Sequence, residues 1–400
     1  MDELRMEPAG SGRTTSVETR GRVARGSDGT GRRIVIAGAG IAGSAIAYYL
    51  TRLGERHVTV VESLGVAQGC TGLASGGMRR QFPTVEETQL SLRSDELWRS
   101  FESDNGADLG YTRNGYLILA GEDRAAEIEM RCTFQERLGA DVRFLSPAEV
   151  SRRLPGVVVD DIRLAAFSPD DGFADPADAT CAILDAARRS GAQLTIATVT
   201  GIETTHGRVV GVQTTGGDVA CDVVIDAAGL DAPLLGSFVG LDLPISPYRQ
   251  HQFLTDRLDW LPSQVPCVQD STQDLYMRPH GAGLLLGVDD AEEAWSRKRD
   301  VNWSLAEALA EKLERRWPRL SDAGLARAWV GSYEVTPDRL PCIGQAGTTG
   351  FAYAAGFNGH GFMHGLAVGE AVAELVVTGT TSHIDLAPFD VARFDKQGPI

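Results

Sequence analysis

Three glycines in GAGIAG, Gly38, Gly40 and Gly43, follow the apolar run IVIA and precede IAGSAIAYYLTRLG, which keeps apolar residues at helical spacing. The first glycine permits a tight turn and the second lets backbone approach a pyrophosphate. The third lets helix and strand pack closely, while the unpaired amides of the first helical turn, at Ile41 and Ala42, face the phosphates. HVTVVES then supplies a second strand ending in Glu62, nineteen residues beyond Gly43, followed by Ser63. A carboxylate there can accept hydrogen bonds from an adenosine ribose diol. Strand, glycine turn, helix, strand and acid together predict a dinucleotide site. Other chemistries find no such support. No GxSxG elbow, HExxH pair or CxxC pair occurs, and the six cysteines, Cys70, Cys132, Cys181, Cys221, Cys267 and Cys342, are scattered. Asp170, Asp171, Asp175 and Asp178 lack calcium-loop spacing and read as turn and helix-start residues. No metal site is predicted.

The elements that must position this site come from the whole chain. Its 400 residues suggest two or three compact units, and 38 basic against 54 acidic side chains leave a net charge of −16. That balance excludes a general binder of nucleic acid or anionic membrane. Residues 1–30 mix Gly, Ser, Thr, Arg and acids with little to bury and are expected to form a disordered tail; with no secretory or transit signal, the protein is expected in the cytoplasm. The apolar stretch Phe351–Val377 is broken by Asn358, His360, His364 and two glutamates, so no membrane span is predicted. Helical periodicity covers Leu90–Phe101, Asp123–Leu138, Pro176–Gly191 and Ser304–Arg316, with YLILA (Tyr116–Ala120) a strand between the first two. LYMRP and GLLLGV flank HGA as a hairpin with Gly281 available for positive φ. DVVIDAAG, ending on Gly229, and FAYAAG read as further strands, the latter turning through glycines into a last helix. The predicted fold is α/β: a Rossmann-type domain over residues 31–85, 150–235 and 328–386, interleaved with a mixed-sheet, α+β substrate domain over 86–149 and 236–327.

A fingerprint near the start, a second nucleotide-domain strand far along the chain and a glycine-rich strand–helix near the end together suit a flavoprotein with FAD extended across one domain. Five segments carry a resemblance: GAGIAGSAIAYYL, SGGMRRQF (Ser75–Phe82), DGFADP (Asp171–Pro176), WVGSYEVTPDRLPCIG (Trp329–Gly344) and AAGFNGHGFMHG (Ala354–Gly365). Over roughly Arg33 to Leu386 the chain resembles the D-amino-acid oxidase superfamily of FAD-dependent oxidoreductases, most closely its sarcosine oxidase beta-subunit and dimethylglycine dehydrogenase group. The resemblance implies that Gly356, Gly359, His360, Gly361 and Phe362 approach the flavin. The helix starting near Gly361 would then direct its positive end at the ring. It implies further flavin contacts at Ser75, Gly76, Arg79, Val199, Gly229 and Gly331. Candidate catalytic residues are His360, Tyr333, Arg80, Tyr276 and Arg278. An alternating strand puts Tyr276 and Arg278 on one face; His251 and His364 rank below them.

Departures from the family pattern shape the functional expectation. Gly331 stands where monomeric sarcosine oxidases attach flavin through Cys, so FAD should be non-covalent. Leu285 replaces a lysine that those enzymes use to activate oxygen. Tyr333 replaces a carboxylate-binding Arg of glycine oxidase, and Met363 a Lys with that role in sarcosine oxidase. The expected reaction is oxidation of the C–N bond of a secondary, N-methyl or D-amino acid, or of an amine, to an imine by hydride transfer to flavin N5. Electrons would pass to oxygen or another acceptor. The alternatives are a dehydrogenase of a D-amino or hydroxy acid using a non-oxygen acceptor, and a non-catalytic flavoprotein scaffold. Oligomeric state is open.

Overall fold

A computed structural model describes residues 31–290 and 293–395; the expected tail at 1–30 lies outside the described residues. Two sheets dominate. The first has six strands: β1 (Arg33–Ala37), β2 (His57–Glu62), β8 (Gln193–Ile196), β12 (Val223–Asp226), β18 (Cys342–Gln345) and β19 (Phe351–Ala355), in the order β18-β19-β12-β1-β2-β8. All neighbours are parallel except β18–β19. Ile34 and Ile36 face one core, Val35 and Ala37 the other. Burial on both faces is why these strands read as unbroken apolar runs. Helices α1 (Ile41–Arg52), α2 (Val85–Asn105), α5 (Pro176–Arg189) and α8 (Gly361–Thr378) build the first core. The second lies under a three-stranded sheet of β9 (Val199–Thr205), β10 (Arg208–Thr214) and β11 (Val219–Ala220), together with α6 (Ala232–Ser237).

Helix α8 is long and apolar enough to cross a membrane, yet 67% of it is buried inside the fold. It packs so closely on α1 that a Cβ at Gly365 would lie 2.3 Å from Ile41 Cγ1, and one at Gly369 2.5 Å from Ala45 Cβ. Small residues at one helical spacing thus make it a core helix.

The other large sheet has eight strands: β4 (Tyr116–Ala120), β5 (Arg143–Leu145), β6 (Leu164–Ser168), β13 (Ser246–Thr255), β14 (Cys267–Asp270), β15 (Leu275–His280), β16 (Gly283–Asp289) and β17 (Leu325–Val335). Their order is β17-β13-β16-β15-β14-β4-β6-β5. One face, carrying Leu117, Phe253, Val268, Met277, Leu284 and Leu286, is covered by α4 (Pro147–Arg153) and α7 (Leu305–Arg316); α3 (Glu122–Arg137) covers part of the opposite face near β6. Strands β3 (Gly77–Met78) and β7 (Gly172–Phe173) form a small ribbon. Gly281, at φ +57°, turns β15 into β16 at the expected hairpin.

Sheet membership moves three expected domain boundaries. Helix α2 buries Leu90, Trp98 and Phe101 in the first core, so it belongs with the nucleotide-binding sheet. Strand β6, beyond residue 150, pairs with β4, and β17, near residue 328, pairs with β13 from Ser246↔Val335 to Thr255↔Leu325. Both therefore belong to the substrate domain. Such pairings join segments far apart in the chain, which local periodicity does not report.

Candidate active site

A cleft of about 410 Å³ runs between the two sheets. At one end the glycine turn does what its spacing requires. Gly38 sits at φ +108°, and a Cβ there would lie 2.3 Å from Ala227 O; a Cβ on Gly43 would lie 2.0 Å from Gly38 O. Strand, helix and loop can meet this closely only as glycine. The amide of Ile41 donates to Thr71 Oγ1 at 3.2 Å. Glu62 receives Ala39 N–H at 2.7 Å and Leu64 N–H at 2.8 Å, which fixes its carboxylate at the cleft wall.

The other end is roofed by the uncovered face of the eight-stranded sheet. Period-two alternation sends Gln250 and Gln252 of β13 to the cleft and Phe253 to the core, and Gly331, Ser332, Tyr333 and Glu334 of β17 line the cleft together. The Oε1 atoms of Gln250 and Gln252 are buried and have no hydrogen-bond partner among the described residues. Tyr333 lies where a Cβ on Gly359 would be, 2.6 Å from its ring, so two strands of backbone and a phenol close this end. Burial and then Asp289 push the Tyr333 hydroxyl above its ordinary range.

Beside Gly359 and Gly361 a charged chain is set in place. The Nδ1–H of His360 donates to Glu87 Oε1 at 3.0 Å, and its Nε2 accepts from Arg79 Nη2 at 3.2 Å. An anion on one side and a guanidinium on the other fix a neutral ring in one tautomer. Burial is the main cause holding His360 below its usual pKa, with Arg79 assisting against the pull of Glu87. Arg79 also donates to Tyr116 Oη at 3.2 Å and Gln269 Oε1 at 3.3 Å, while its Nε is buried without a partner among the described residues. One turn on, His364 meets Ser91 Oγ at 2.8 Å, and burial lowers its pKa to about 3.

The predicted residues sort by this geometry. Gly38, Gly40, Ile41, Ala42, Glu62 and Ser63 line the cleft at its nucleotide end. Ser75, Val199 and Gly229 line its middle, and Gly331, Tyr333, Gly359, Gly361 and Phe362 its far end. His360 and Arg79 stand directly behind that end. Gly43 serves packing, as its place in the fingerprint requires. Gly76 and Gly356 do not line the cleft: the space a Cβ would need is taken by Ala174 O at 2.2 Å and by Thr336 Cγ2 at 2.7 Å.

Two candidate arginines need correction. Arg80 is buried against Asp171, Nε to Oδ1 at 2.7 Å and N–H to Oδ2 at 3.0 Å, and this pairing turns it away from the cleft that its neighbour Arg79 approaches. Arg278 shares the expected face with Tyr276 but is committed to the carbonyl oxygens of Ser75 and Pro279 and stacks on Phe173. Tyr276 packs on Gly77, whose Cβ would be 2.6 Å from its hydroxyl oxygen, and does not line the cleft. His251 is buried, accepting the Asn302 amide at 3.1 Å. Leu285 and Met363 are buried apolar side chains.

Sequence reasoning missed Glu87, Tyr116, Gln250, Gln252, Gln269 and Glu334. The alternation of glutamines around His251 was an available signal; Glu87 meets His360 only through the fold. Glu334 accepts the Gly356 amide at 3.0 Å, with burial raising its pKa, and Asp226 beneath the cleft is pushed up to about 8 by burial.

This donor set fits a flavin dinucleotide: glycine backbone along the length, an acid at the ribose end, unpartnered amide oxygens under the ring end. Comparison with known proteins agrees. A family model described as FAD dependent oxidoreductase matches residues 33–375. FAD-dependent oxidoreductase domain-containing protein 1 of Bos taurus is 28% identical over 90% of this chain and 84% of its own length. Sarcosine dehydrogenase of Homo sapiens is 28% identical over 90% of this chain, which spans 41% of that longer protein. The crystal structure of L-proline dehydrogenase from P. horikoshii superposes with a TM-score of 0.86 at 28% identity, covering 91% of this chain and 98% of the other.

Proposed function

Because this chain belongs to the D-amino-acid oxidase family of FAD-dependent oxidoreductases, we propose that it oxidises the C–N bond of an amino acid bearing a secondary amine, with FAD held non-covalently. The observation that carries the reading is Arg79, a guanidinium fixed by His360, Tyr116 and Gln269 directly behind the closed end of the cleft, its Nε buried and unpartnered among the described residues. A fixed cation with a free donor suits a substrate carboxylate. Two of the similar proteins are named for sarcosine and L-proline, both amino acids with a secondary amine.

When bound, FAD supplies the hydride acceptor. The chain supplies orientation and electrostatics: the Gly359–Gly361 backbone and the Tyr333 ring shape the end of the cleft, and Arg79 holds the carboxylate so that the α-nitrogen and its carbon lie in a set order. Among the described residues no strong base lines that end of the cleft. The Tyr333 hydroxyl is held protonated by burial, and the His360 Nε2 lone pair is engaged by Arg79. The amine therefore reacts in its neutral form, its nitrogen lone pair making the C=N bond as hydride leaves carbon, and the iminium is hydrolysed in water. Gly331 offers no side chain to link flavin covalently. Leu285, buried and apolar, favours a dehydrogenase that passes electrons to an acceptor other than oxygen.

The test is an anaerobic screen of N-methyl amino acids, cyclic imino acids, D-amino acids and polyamines against the oxidised flavin band. Bleaching by N-methyl or cyclic imino acids, with slow recovery in air, is expected. Bleaching by polyamines alone would overturn the amino-acid reading, and rapid recovery in air the dehydrogenase reading.

A further inference from the structure

The cleft is lined by the carboxylates of Glu62, Asp231 and Glu334 and by two cations, Arg297 and Arg299. A dinucleotide brings a diphosphate into this acidic surround, in a chain whose net charge is already −16. Amides at a helix start favour that diphosphate, but they do not offset so much like charge by themselves. Both arginines lie on one connection of the substrate domain, between β16 and α7.

That connection is tied down at both ends. Arg249 of β13, fully buried, donates to Glu293 Oε2 at 2.8 Å and to Asp300 O at 2.6 Å, and its amide donates to Ala294 O at 2.7 Å. His251 Nε2 accepts the Asn302 amide at 3.1 Å. On the far side Arg297 crosses to the nucleotide-binding domain, bonding Asp231 Oδ1 at 2.6 Å and the Leu230 carbonyl. The segment thus forms a strap across the cleft. Arg297 is committed to holding it there. Arg299, two residues on, lines the cleft with no hydrogen bond or ion pair among the described residues.

Its position along the cleft follows from the anchor of the strap, since Leu230 and Asp231 lie three and four residues beyond Ala227, whose carbonyl oxygen a Cβ on Gly38 would meet at 2.3 Å; Cys70 lines the same cleft. Cys70 adjoins Thr71, the acceptor for the Ile41 amide at the start of α1. Arg299, two residues from that anchor and lining the same cleft, therefore belongs to the stretch that the fingerprint assigns to phosphate. We propose that Arg299 is a ligand of the FAD diphosphate, delivered by the substrate domain over the strap, so that the cofactor is gripped from both domains at its phosphates. The inference rests on the cleft holding FAD.

Flavin-stripped wild-type protein and the Arg299→Gln and Arg299→Glu variants would be titrated with FAD and with riboflavin, which lacks phosphate, over a salt series. Arg299 is exposed, so both variants should keep the wild-type melting profile, which circular dichroism checks. Loss of one charge-assisted bond predicts about tenfold weaker FAD binding in Arg299→Gln and about a hundredfold in Arg299→Glu, with riboflavin binding unchanged. The salt dependence of FAD binding should become shallower. FAD affinity in Arg299→Gln within about twofold of wild type, or an equal loss for riboflavin, would overturn the proposal while leaving the cofactor assignment intact. Failure of the wild-type chain to bind FAD would remove that assignment and this inference together.

Discussion

The two ends of the cleft are built by different means. The nucleotide end is made of backbone: Gly38 and Gly43 close the turn by contacts of 2.3 and 2.0 Å that any Cβ would violate, and one carboxylate, Glu62, completes it. The flavin end is made of side chains from α2, β4, β13, β14 and β17 and of Arg79 just after β3, converging on the loop before α8. A backbone site needs only spacing and steric absence, whereas a side-chain site needs distant segments brought into register. Substitutions at the first end should therefore act through folding and cofactor retention, and at the second through turnover.

The largest effect tests that division directly. Gly43→Val forces α1 off β1 and should cost about 3 kcal/mol or more, giving little soluble protein and none that retains flavin. Thermal melts and the flavin-to-protein absorbance ratio measure both. A stable, flavin-loaded variant would mean that the helix has slack the contacts deny.

Arg79→Met should reverse the pattern, keeping FAD content near wild type while lowering kcat/KM for a carboxylate-bearing amine about a thousandfold. Its neighbour sharpens the contrast. Arg80→Met leaves Asp171 buried and unpaired, so stability should fall by about 3–5 kcal/mol while kcat/KM of the surviving folded protein stays within about threefold. Steady-state kinetics beside denaturant unfolding separates the two adjacent arginines. Equal kinetic losses would place both in the site.

How far the sequence foretells each end follows from the same difference. The apolar runs, the GxGxxG spacing and the Gly281 hairpin are local signals, and strands β1, β2, β12 and β19 stand where those signals lie. The pairing of β17 with β13 is not local, so the domain boundary near residue 328 could not be read from periodicity. Arg79 and Arg80 are equivalent in a string of letters; only their partners in the fold, His360 and Tyr116 for one and Asp171 for the other, separate them. Glu87 lies 273 residues from the histidine it orients, and nothing in either segment announces the pair.

A smaller effect probes the histidine between Glu87 and Arg79. Protonating His360 would put a cation against the Arg79 guanidinium, so kcat/KM should decline on the acid side, below the ordinary histidine range. Glu87 raises the His360 pKa. Glu87→Gln should therefore move the acid limb to lower pH, with about a tenfold loss of plateau rate from the less ordered ring. An unmoved limb would assign it to another group. Stability carries the same sign: folding holds His360 and His364 neutral, so below about pH 6.5 the unfolded chain binds protons that the folded chain refuses. Unfolding free energy should fall by about 1.4 kcal/mol per pH unit for each such histidine until its folded pKa is reached, and His364→Gln should remove one proton from that slope.

The smallest effect is expected at Tyr276, where strand alternation points toward catalysis and packing points away. Its hydroxyl is buried beside the Cys267 thiol without a well-formed hydrogen bond among the described residues, against a glycine that leaves no room for substrate. Burial keeps it protonated far above its ordinary range, so it cannot act as a base near neutral pH. Removing a buried polar atom that lacks a well-formed hydrogen bond relieves a desolvation cost. Tyr276→Phe should leave kcat/KM within about threefold and stability equal or slightly higher. A tenfold kinetic loss at unchanged stability would extend the reacting end of the cleft one strand further than the packing allows, and would make the face of a strand a better guide to function than the volume beside it.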